Sequence, residues 1–219
     1  GGIVGPGQFV SPNTSWEFNV ERANEILDAA GWERGADGVR AKDGVRLSFV
    51  FSTTTSGQRQ RTQQVVKQGC DAVGIDLELK AVAGSIFFSS DPGNPDTFGH
   101  FYADMQMYTS PMREPDPGLF MQQFLSSEVA SRENNWQGRN VTRFRNAEFD
   151  ALHAESNVEM DPARRAAMFI RMNDIVVDEI VVIPLIFRMV AAGAKRGLKA
   201  PLSTWSSYMW QISDWHYET

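Results

Sequence analysis

The chain has 219 residues, of which 42% are hydrophobic and 22% are charged, and its formal net charge is −6. A chain of this length and composition can fold around a sizeable buried core. The acidic balance argues against a nucleic-acid partner, because binding to phosphates requires an excess of Lys and Arg. The single cysteine, Cys70, excludes an intramolecular disulfide, and no run reaches the roughly 20 apolar residues of a membrane span.

The opening of the chain is predicted to be a hinge or linker segment. The first twelve residues contain four glycines and two prolines, a composition typical of a linker. They lack the basic region and the apolar region of a signal peptide. We therefore expect residues 1–18 to be a hinge segment within a longer protein, and residues 19–219 to form one lobe.

The first half of that lobe predicts a helix and a hairpin, followed by a strand, a helix and a strand. Asn19 is suited to cap a helix that Gly31 ends. Two Asp-Gly pairs within residues 32–44 predict tight hairpin turns. The strand, helix and alternating strand that follow cover residues 46–53, 58–73 and 75–82. This order predicts a parallel strand pair with a right-handed crossover.

The second half predicts one more short strand and several helices. The strand covers residues 104–108, and helices follow over residues 117–125 and 146–156 and from Asp161 onward. An apolar run over residues 181–190 contains Pro184, which favours an edge strand or the start of a strand. The aromatic tail from residue 202 is expected to end in a short strand.

The stretch from Asp104 to Leu152 collects aromatic, amide and guanidinium groups on irregular backbone, as the wall of a binding site does. Trp136 lies between Asn135 and Gln137, which is consistent with a cleft platform and equally with a plug into the core. Four arginines stand near one glutamate in this stretch: Arg132, Arg139, Arg143, Arg145 and Glu133. They could hold a ligand carboxylate or pair with surface Asp and Glu.

Three patterns offer other chemistry. Glu114 and Asp116 invite comparison with the paired carboxylates of a glycosidase, although Pro115 favours a structural turn. Oxygen ligands within residues 91–96 loosely follow a calcium loop, without the glycine and terminal glutamate of the strong pattern. The three histidines lie far apart in sequence, so the spacing predicts no zinc site.

Several segments, in order and spacing, carry a family resemblance that covers nearly the whole chain. They are ANEILDAAGW at Ala23–Trp32, DGVRAKDG just after it, VGIDLELK at Val73–Lys80, EPDP at Glu114–Pro117, NAEFDAL at Asn146–Leu152, and the long helix with IPL at Ile183–Leu185. Together they resemble the C-terminal half of the extracytoplasmic solute-binding proteins of family 5, the oligopeptide, dipeptide and nickel receptors of ABC importers.

This resemblance implies a fold and a function. The fold is α/β, a mixed sheet with flanking helices, forming the second lobe of a type II periplasmic-binding-protein-like protein. An N-terminal lobe of the same protein would precede Gly1, and the two lobes would enclose a peptide or peptide-like solute for the membrane permease of an ABC importer. The protein would be periplasmic or a membrane-anchored lipoprotein, with no catalysis. From the residue patterns we also expect no metal site and no cofactor.

The resemblance also indicates ligand-binding residues, with one departure. Similar peptide receptors carry a tryptophan and, three residues later, an aspartate that binds the ligand's amino terminus. Tyr108 and Pro111 occupy these positions here, which puts that recognition in doubt. The expected site residues are Tyr108 and Trp136 packing on the ligand, Arg113 and Arg139 neutralising its anionic groups, and Asn135 bonding to its backbone or hydroxyls.

Two competing functions stay open on the sequence. One is a stand-alone hydrolase that uses Glu114 or Asp116 as its acid or base. The other is an interaction domain that docks through the aromatic C-terminal tail.

Overall fold

A computed structural model describes residues 3, 7–187, 193–201 and 211–218. The chain separates into two compact units. The sheet unit comprises residues 16–110 and 128–143, and the helical unit comprises residues 1–15, 111–127 and 144–219. The domain boundaries expected from the sequence, a hinge over residues 1–18 and one lobe beyond it, remain a prediction.

The sheet unit begins with a capped helix and a small antiparallel sheet. Helix α1 (Val20–Ala29) starts where the Asn19 side chain accepts a hydrogen bond from the Arg22 N–H at 2.8 Å, and it ends before Gly31 in the left-handed region. Strands β1 (Glu33–Arg34), β2 (Arg40–Lys42) and β3 (Val45–Arg46) pair antiparallel in that order. Both Asp-Gly pairs form the predicted turns, because their glycines supply the positive φ required there.

The main sheet is the predicted parallel unit. Strand β4 (Ser48–Thr54) is followed by helix α2 (Gly57–Val73) and strand β5 (Asp76–Val82), which pairs parallel with β4 along its whole length. The one-turn helix α3 (Gly84–Phe87) comes next, and strand β6 (Met105–Gln106) pairs parallel with β4 on its other side. The third strand predicted from residues 104–108 is therefore confirmed. Leu77 and Phe51 are buried in this sheet.

The helical unit is built on three helices. Helix α4 (Gly118–Met121) continues into a 3-10 turn at Gln122–Phe124, which together replace the single helix predicted over residues 117–125. Helix α5 (Ala147–Ser156) is capped by the Asn146 side chain. In helix α6 (Pro162–Asp178) the Asp161 carboxylate accepts from two backbone N–H groups, and Pro162 occupies the first turn as expected.

One apolar core holds the helical unit together. It joins α4, α5 and α6 through buried side chains, among them Met121, Phe149, Phe169, Met172 and Val176. Residues 182–187, in the apolar run around Pro184, do not belong to a strand, and residues 188–190 of that run lie outside the described chain. Strands β7 (Leu198–Lys199) and β8 (His216–Tyr217) pair antiparallel, which confirms the predicted terminal strand.

The fold class expected from the sequence, α/β with flanking helices, is confirmed. Within the described residues, parallel and antiparallel pairs lie in separate sheets. In the same part of the chain, no helix combines the length and apolar character needed to cross a bilayer.

Candidate functional site

The candidate site is built on a loop of the sheet unit, residues 128–143, here called the Trp136 loop. A parallel bridge between Val129 and Asn140 closes its base, where the Ala130 N–H donates to the Asn140 carbonyl at 3.0 Å. At its tip the Trp136 N–H donates to the Ser131 carbonyl at 2.8 Å. The loop is therefore fixed by its own backbone bonds.

Two glycines allow this loop to approach its neighbours closely. A Cβ on Gly138 would lie 2.6 Å from the Ala130 nitrogen, and a Cβ on Gly99 would lie 2.7 Å from the Trp136 carbonyl oxygen. Both distances are shorter than any van der Waals contact. A side chain at Gly99 would therefore push the Trp136 loop away, and one at Gly138 would force the two ends of that loop apart.

A second loop, residues 89–102, packs against the first. The Gln137 side chain donates to the Ser90 carbonyl at 3.0 Å. His100 is buried, and its Nε2 lies 3.2 Å from the Pro92 carbonyl while its Nδ1 lies 2.7 Å from the Thr97 hydroxyl. A carbonyl can only accept, so Nε2 carries a hydrogen. His100 thereby anchors the second loop.

Three rings meet where the two loops join. The centroids of Trp136 and His100 are 4.5 Å apart with the planes inclined by 33°, and Tyr102 meets Trp136 edge-on at 5.8 Å. Tyr102 is also 5.3 Å from His100. The Trp136 ring is partly exposed, and Tyr102 is mostly exposed. The sequence was equally consistent with Trp136 as a platform in a cleft and as a plug into the core. Its partial exposure favours the platform.

Arg143 joins both loops to the ring cluster. Its guanidinium donates to the carbonyls of His100 and Phe101 and lies 5.6 Å from the centroid of Trp136, within range of a cation–π interaction. Arg145, in the helical unit, likewise donates to a backbone carbonyl, that of Ser126. Among the described residues, neither arginine pairs with the surface Asp or Glu that the sequence allowed as partners.

Backbone strain is concentrated at this site. The described part of the chain contains six non-glycine residues with positive φ, and four of them belong to these two loops: Phe101, Asn135, Trp136 and Arg143. A side chain larger than Asn rarely adopts this conformation. Strained residues persist where the surrounding structure holds them, and they cluster at binding sites.

The two loops border an open, solvent-exposed cavity of about 460 Å³, here called the Trp136 cavity. Its volume falls within the usual range for ligand pockets. Its lining consists of Pro92, Gly93, Pro95, His100, Tyr102, Arg132, Asn135 and Trp136. Asn135 and Trp136, both predicted from the sequence, therefore share one concave surface.

Tyr108 lies elsewhere in the sheet unit, just beyond β6. It is half-buried against Phe98 and Phe87, with centroids 5.7 and 6.5 Å away. This burial raises the pKa of the Tyr108 phenol. Phe98 and Trp136 both line a smaller cavity of about 90 Å³, which links the surroundings of Tyr108 to the Trp136 loop.

The two remaining predicted residues are exposed. Arg139 lies on the Trp136 loop and does not line the larger cavity, and Arg113 belongs to the helical unit. A role for either residue in binding a ligand stays a prediction.

Asp116, proposed above as a catalytic carboxylate, is engaged within the fold. Arg165 forms an ion pair with both carboxylate oxygens, and one of them also accepts from the Gly118 N–H at 2.8 Å. The side-chain bond to Arg165 lowers the pKa of Asp116. A general acid requires a raised pKa, so this environment favours the structural turn.

The calcium-like segment is also used structurally. The Asp91 side chain accepts from the Gly93 N–H at 2.9 Å, and the Asp96 carboxylate pairs with Lys80 at 2.6 Å. Across the described residues, no group of three or more His, Cys, Asp or Glu side chains is placed to hold a metal ion.

Sequence reasoning missed His100, Tyr102 and the bridging role of Arg143. His100 and Tyr102 lie 43 and 41 positions before Arg143 along the chain, so no local motif joins them to it. Gly99 and Gly138 were the available signals, because an isolated glycine often marks a close approach of the backbone.

Comparison with known families shows which protein family the chain belongs to. Residues 3–131 match the family model described as bacterial extracellular solute-binding proteins, family 5 Middle. The chain belongs to this family. Its members are described by that name as extracellular binding proteins, which agrees with the resemblance found in the sequence.

Curated relatives support the assignment. The chain is 29% identical to protein XP55 of Streptomyces lividans over 160 residues, which is 70% of this chain and 27% of that protein. It is 35% identical to the oligopeptide-binding protein OppA of Mycobacterium tuberculosis over 72 residues, 33% of this chain and 12% of OppA. The chain thus spans well under half the length of these curated relatives.

Solved structures share the fold. An oligopeptide-binding protein from Thermus thermophilus, complexed with a pentapeptide, matches with a TM-score of 0.72 and 26% identity, covering 88% of this chain and 33% of that one. AppA from Bacillus subtilis, in complex with a nonapeptide, matches with a TM-score of 0.64 and 19% identity over 95% of this chain and 41% of AppA. At 19% identity AppA supports the fold alone.

Proposed function

We propose that this chain is one lobe of the solute-binding receptor of an ABC importer, and that it captures a peptide or peptide-like solute with the Trp136 loop. The observation that carries the proposal is the Trp136 cavity, a preformed concave surface on strained loops of a family 5 chain. Relatives of similar fold are described in complex with a pentapeptide and a nonapeptide.

The share of each relative that the chain covers supports a role as part of a larger receptor. The chain covers 33% of the Thermus thermophilus structure, which leaves room for a second lobe. In this proposal the ligand lies between two lobes, and closure of the lobes buries it. The receptor works outside the cytoplasmic membrane, in the periplasm or as a lipoprotein, and delivers the solute to the permease.

The ligand contacts in this proposal are the residues expected from the sequence. Trp136 and Tyr108 pack on the solute, Asn135 bonds to its backbone, and Arg139 neutralises an anionic group. Arg113 contributes a further cation. The proposal includes no catalytic step, and one of the two candidate carboxylates, Asp116, is already bound to Arg165.

The test compares the 219-residue chain with the longer protein that contains it. Calorimetric titration with a mixed pentapeptide library should give micromolar or tighter binding for the longer protein and feeble or undetectable binding for the chain alone. A micromolar affinity of the isolated chain would contradict the two-lobed arrangement. Turnover of the library that disappears in Glu114→Gln would instead favour the hydrolase.

A further inference from the structure

His100 is the most deeply buried of the three rings that meet at the Trp136 cavity. Only 3% of its surface is exposed, although it forms part of the lining. It therefore has little surface to offer a ligand directly. Its ring lies instead against Trp136, with the centroids 4.5 Å apart and the planes inclined by 33°. Any role of His100 at this site has to pass through its neighbours.

Two hydrogen bonds fix the orientation of the His100 ring. Its Nε2–H donates to the Pro92 carbonyl at 3.2 Å, so in the neutral ring Nδ1 accepts from the Thr97 hydroxyl at 2.7 Å. Thr97 is itself buried. The His100 ring cannot turn without leaving buried polar groups unpaired, which is costly. The ring is therefore a rigid support.

The other groups around Trp136 hold it less firmly. The Tyr102 ring meets it edge-on, but Tyr102 is 65% exposed. The Arg143 guanidinium lies 5.6 Å from its centroid, near the outer limit of a cation–π contact, and it donates to backbone carbonyls of the other loop. His100 is thus the fixed surface on which the Trp136 ring rests.

A ring that is already held in place spares the ligand the cost of ordering it. Ordering one flexible side chain at an interface weakens binding by roughly twofold to tenfold. Trp136 is partly exposed, and without the His100 ring beneath it the indole could adopt other rotamers. The contact between the two rings therefore prepares Trp136 for a ligand.

We propose that His100 is a positioning residue for the ligand site, and that its ring holds the Trp136 ring in the orientation that the ligand meets. This inference rests on the proposed function, in which Trp136 packs on the solute. His100 makes no ligand contact of its own, and its effect on binding passes through Trp136. The two residues are coupled in energy, as residues in direct contact are.

The experiment is a double-mutant cycle in the longer protein, with binding of the mixed pentapeptide library measured by calorimetry. His100→Gln removes the ring and retains an N–H donor for the Pro92 carbonyl. It should weaken binding roughly threefold to tenfold when Trp136 is present. In a Trp136→Ala background the same substitution should change binding by less than about twofold, because the residue through which it acts is gone.

His153→Gln is the matched control. His153 is also buried, and its Nε2 also bonds to a backbone carbonyl, that of Gly118, at 3.0 Å. This variant should keep the wild-type affinity. Fluorine NMR of the unliganded protein labelled with fluorotryptophan gives a second readout. The Trp136 resonance, identified by its loss in Trp136→Ala, should move in His100→Gln and stay in place in His153→Gln.

A smaller change tests the same support if His100→Gln does not fold. Thr97→Val removes the hydroxyl that binds Nδ1 of His100. It should move the Trp136 resonance and weaken binding in the same direction as His100→Gln. Thr97→Ser keeps the hydroxyl and should keep both the resonance and the affinity.

Three results would overturn this inference and leave the proposed function standing: wild-type affinity in a folded His100→Gln variant, equal weakening in both backgrounds, or an unmoved Trp136 resonance. Wild-type affinity in a folded Trp136→Ala variant would instead overturn the contact between Trp136 and the ligand, and this inference with it.

Discussion

The turn at Glu114–Pro117 and the Trp136 loop both concentrate polar and charged side chains, yet the structure uses these groups differently. In the turn, both oxygens of Asp116 are bound by Arg165. In the loop, backbone bonds and close-packed glycines fix the chain, and Trp136 and Arg132 remain at a cavity. Side chains that the fold already satisfies hold it together, whereas side chains left at a preformed surface can serve a ligand.

The turn and the two loops of the site also differ in backbone strain. Each non-glycine residue with positive φ costs on the order of 1 kcal/mol, and four such residues lie in the two loops of the site. In the turn, Asp116 instead stabilises its surroundings by accepting from the Gly118 N–H. We therefore expect the turn to stabilise the fold, whereas the two loops hold a strained backbone that shapes a site.

The largest loss of stability is expected at Phe169, which packs next to the arginine that binds the turn. Phe169 is fully buried, and the Arg165 guanidinium lies 4.8 Å from its ring centroid. Phe169→Ala should lower the free energy of unfolding by about 3–5 kcal/mol, because it removes a large ring and leaves a cavity. Urea denaturation measures this, and Met160→Ala, at a side chain that is 90% exposed, should change it by about 0.5 kcal/mol or less.

The next effect concerns the loop backbone. Gly138→Ala should destabilise the protein by about 2–3 kcal/mol, because the added Cβ would meet the Ala130 nitrogen at 2.6 Å. Gly84→Ala is the matched control, since nothing lies within 4 Å of its Cβ, and it should be nearly neutral. Equal melting temperatures for both variants would show that the loop is not closely packed.

Removal of the bridging cation should have a smaller effect. Arg143→Met loses the bonds to the His100 and Phe101 carbonyls and the contact with Trp136, so we expect a loss of about 1–2 kcal/mol. The near-ultraviolet circular dichroism of the tryptophans should also change. Arg61→Met serves as the control, and an unchanged spectrum in Arg143→Met would refute the bridging role.

The smallest effect belongs to the turn and depends on pH. The pair with Arg165 lowers the folded-state pKa of Asp116 below its unfolded value, so the pair stabilises the fold above about pH 4 and this contribution is lost as pH falls further. Because both side chains are partly exposed, Asp116→Asn should cost about 1 kcal/mol at pH 7. The difference in melting temperature from the wild type should narrow toward pH 3, and a constant difference would contradict the assignment.

Much of the fold could be predicted from the sequence, because helix caps and turns depend on residues that are close together along the chain. Asn19, Asn146 and Asp161 cap helices as their side chains allow, and the Asp-Gly pairs form the turns. The parallel unit followed from an apolar strand before a helix pattern and an alternating strand after it. The helix predicted from residue 117 broke into an α-turn and a 3-10 turn, a difference that side-chain periodicity does not reveal.

The site was less predictable. Trp136 and Asn135 stood out as an aromatic ring in polar company, and the structure places both at the cavity. The positive φ angles of Phe101, Trp136 and Arg143 could not be predicted, because these residue types rarely adopt that conformation. The partner of Trp136, His100, comes from a separate loop, and pairs this distant in sequence depend on the tertiary fold.

The Trp136 loop is expected to contact the ligand directly. Calorimetric titration of the longer protein with the mixed pentapeptide library tests it most directly, comparing the wild type with Trp136→Ala and with Trp16→Ala, a substitution at an exposed tryptophan of the same unit. Trp136→Ala should weaken binding by roughly tenfold or more, since aromatic anchors dominate such contacts, and Trp16→Ala should leave it unchanged. Wild-type affinity in a folded Trp136→Ala variant would contradict the claim.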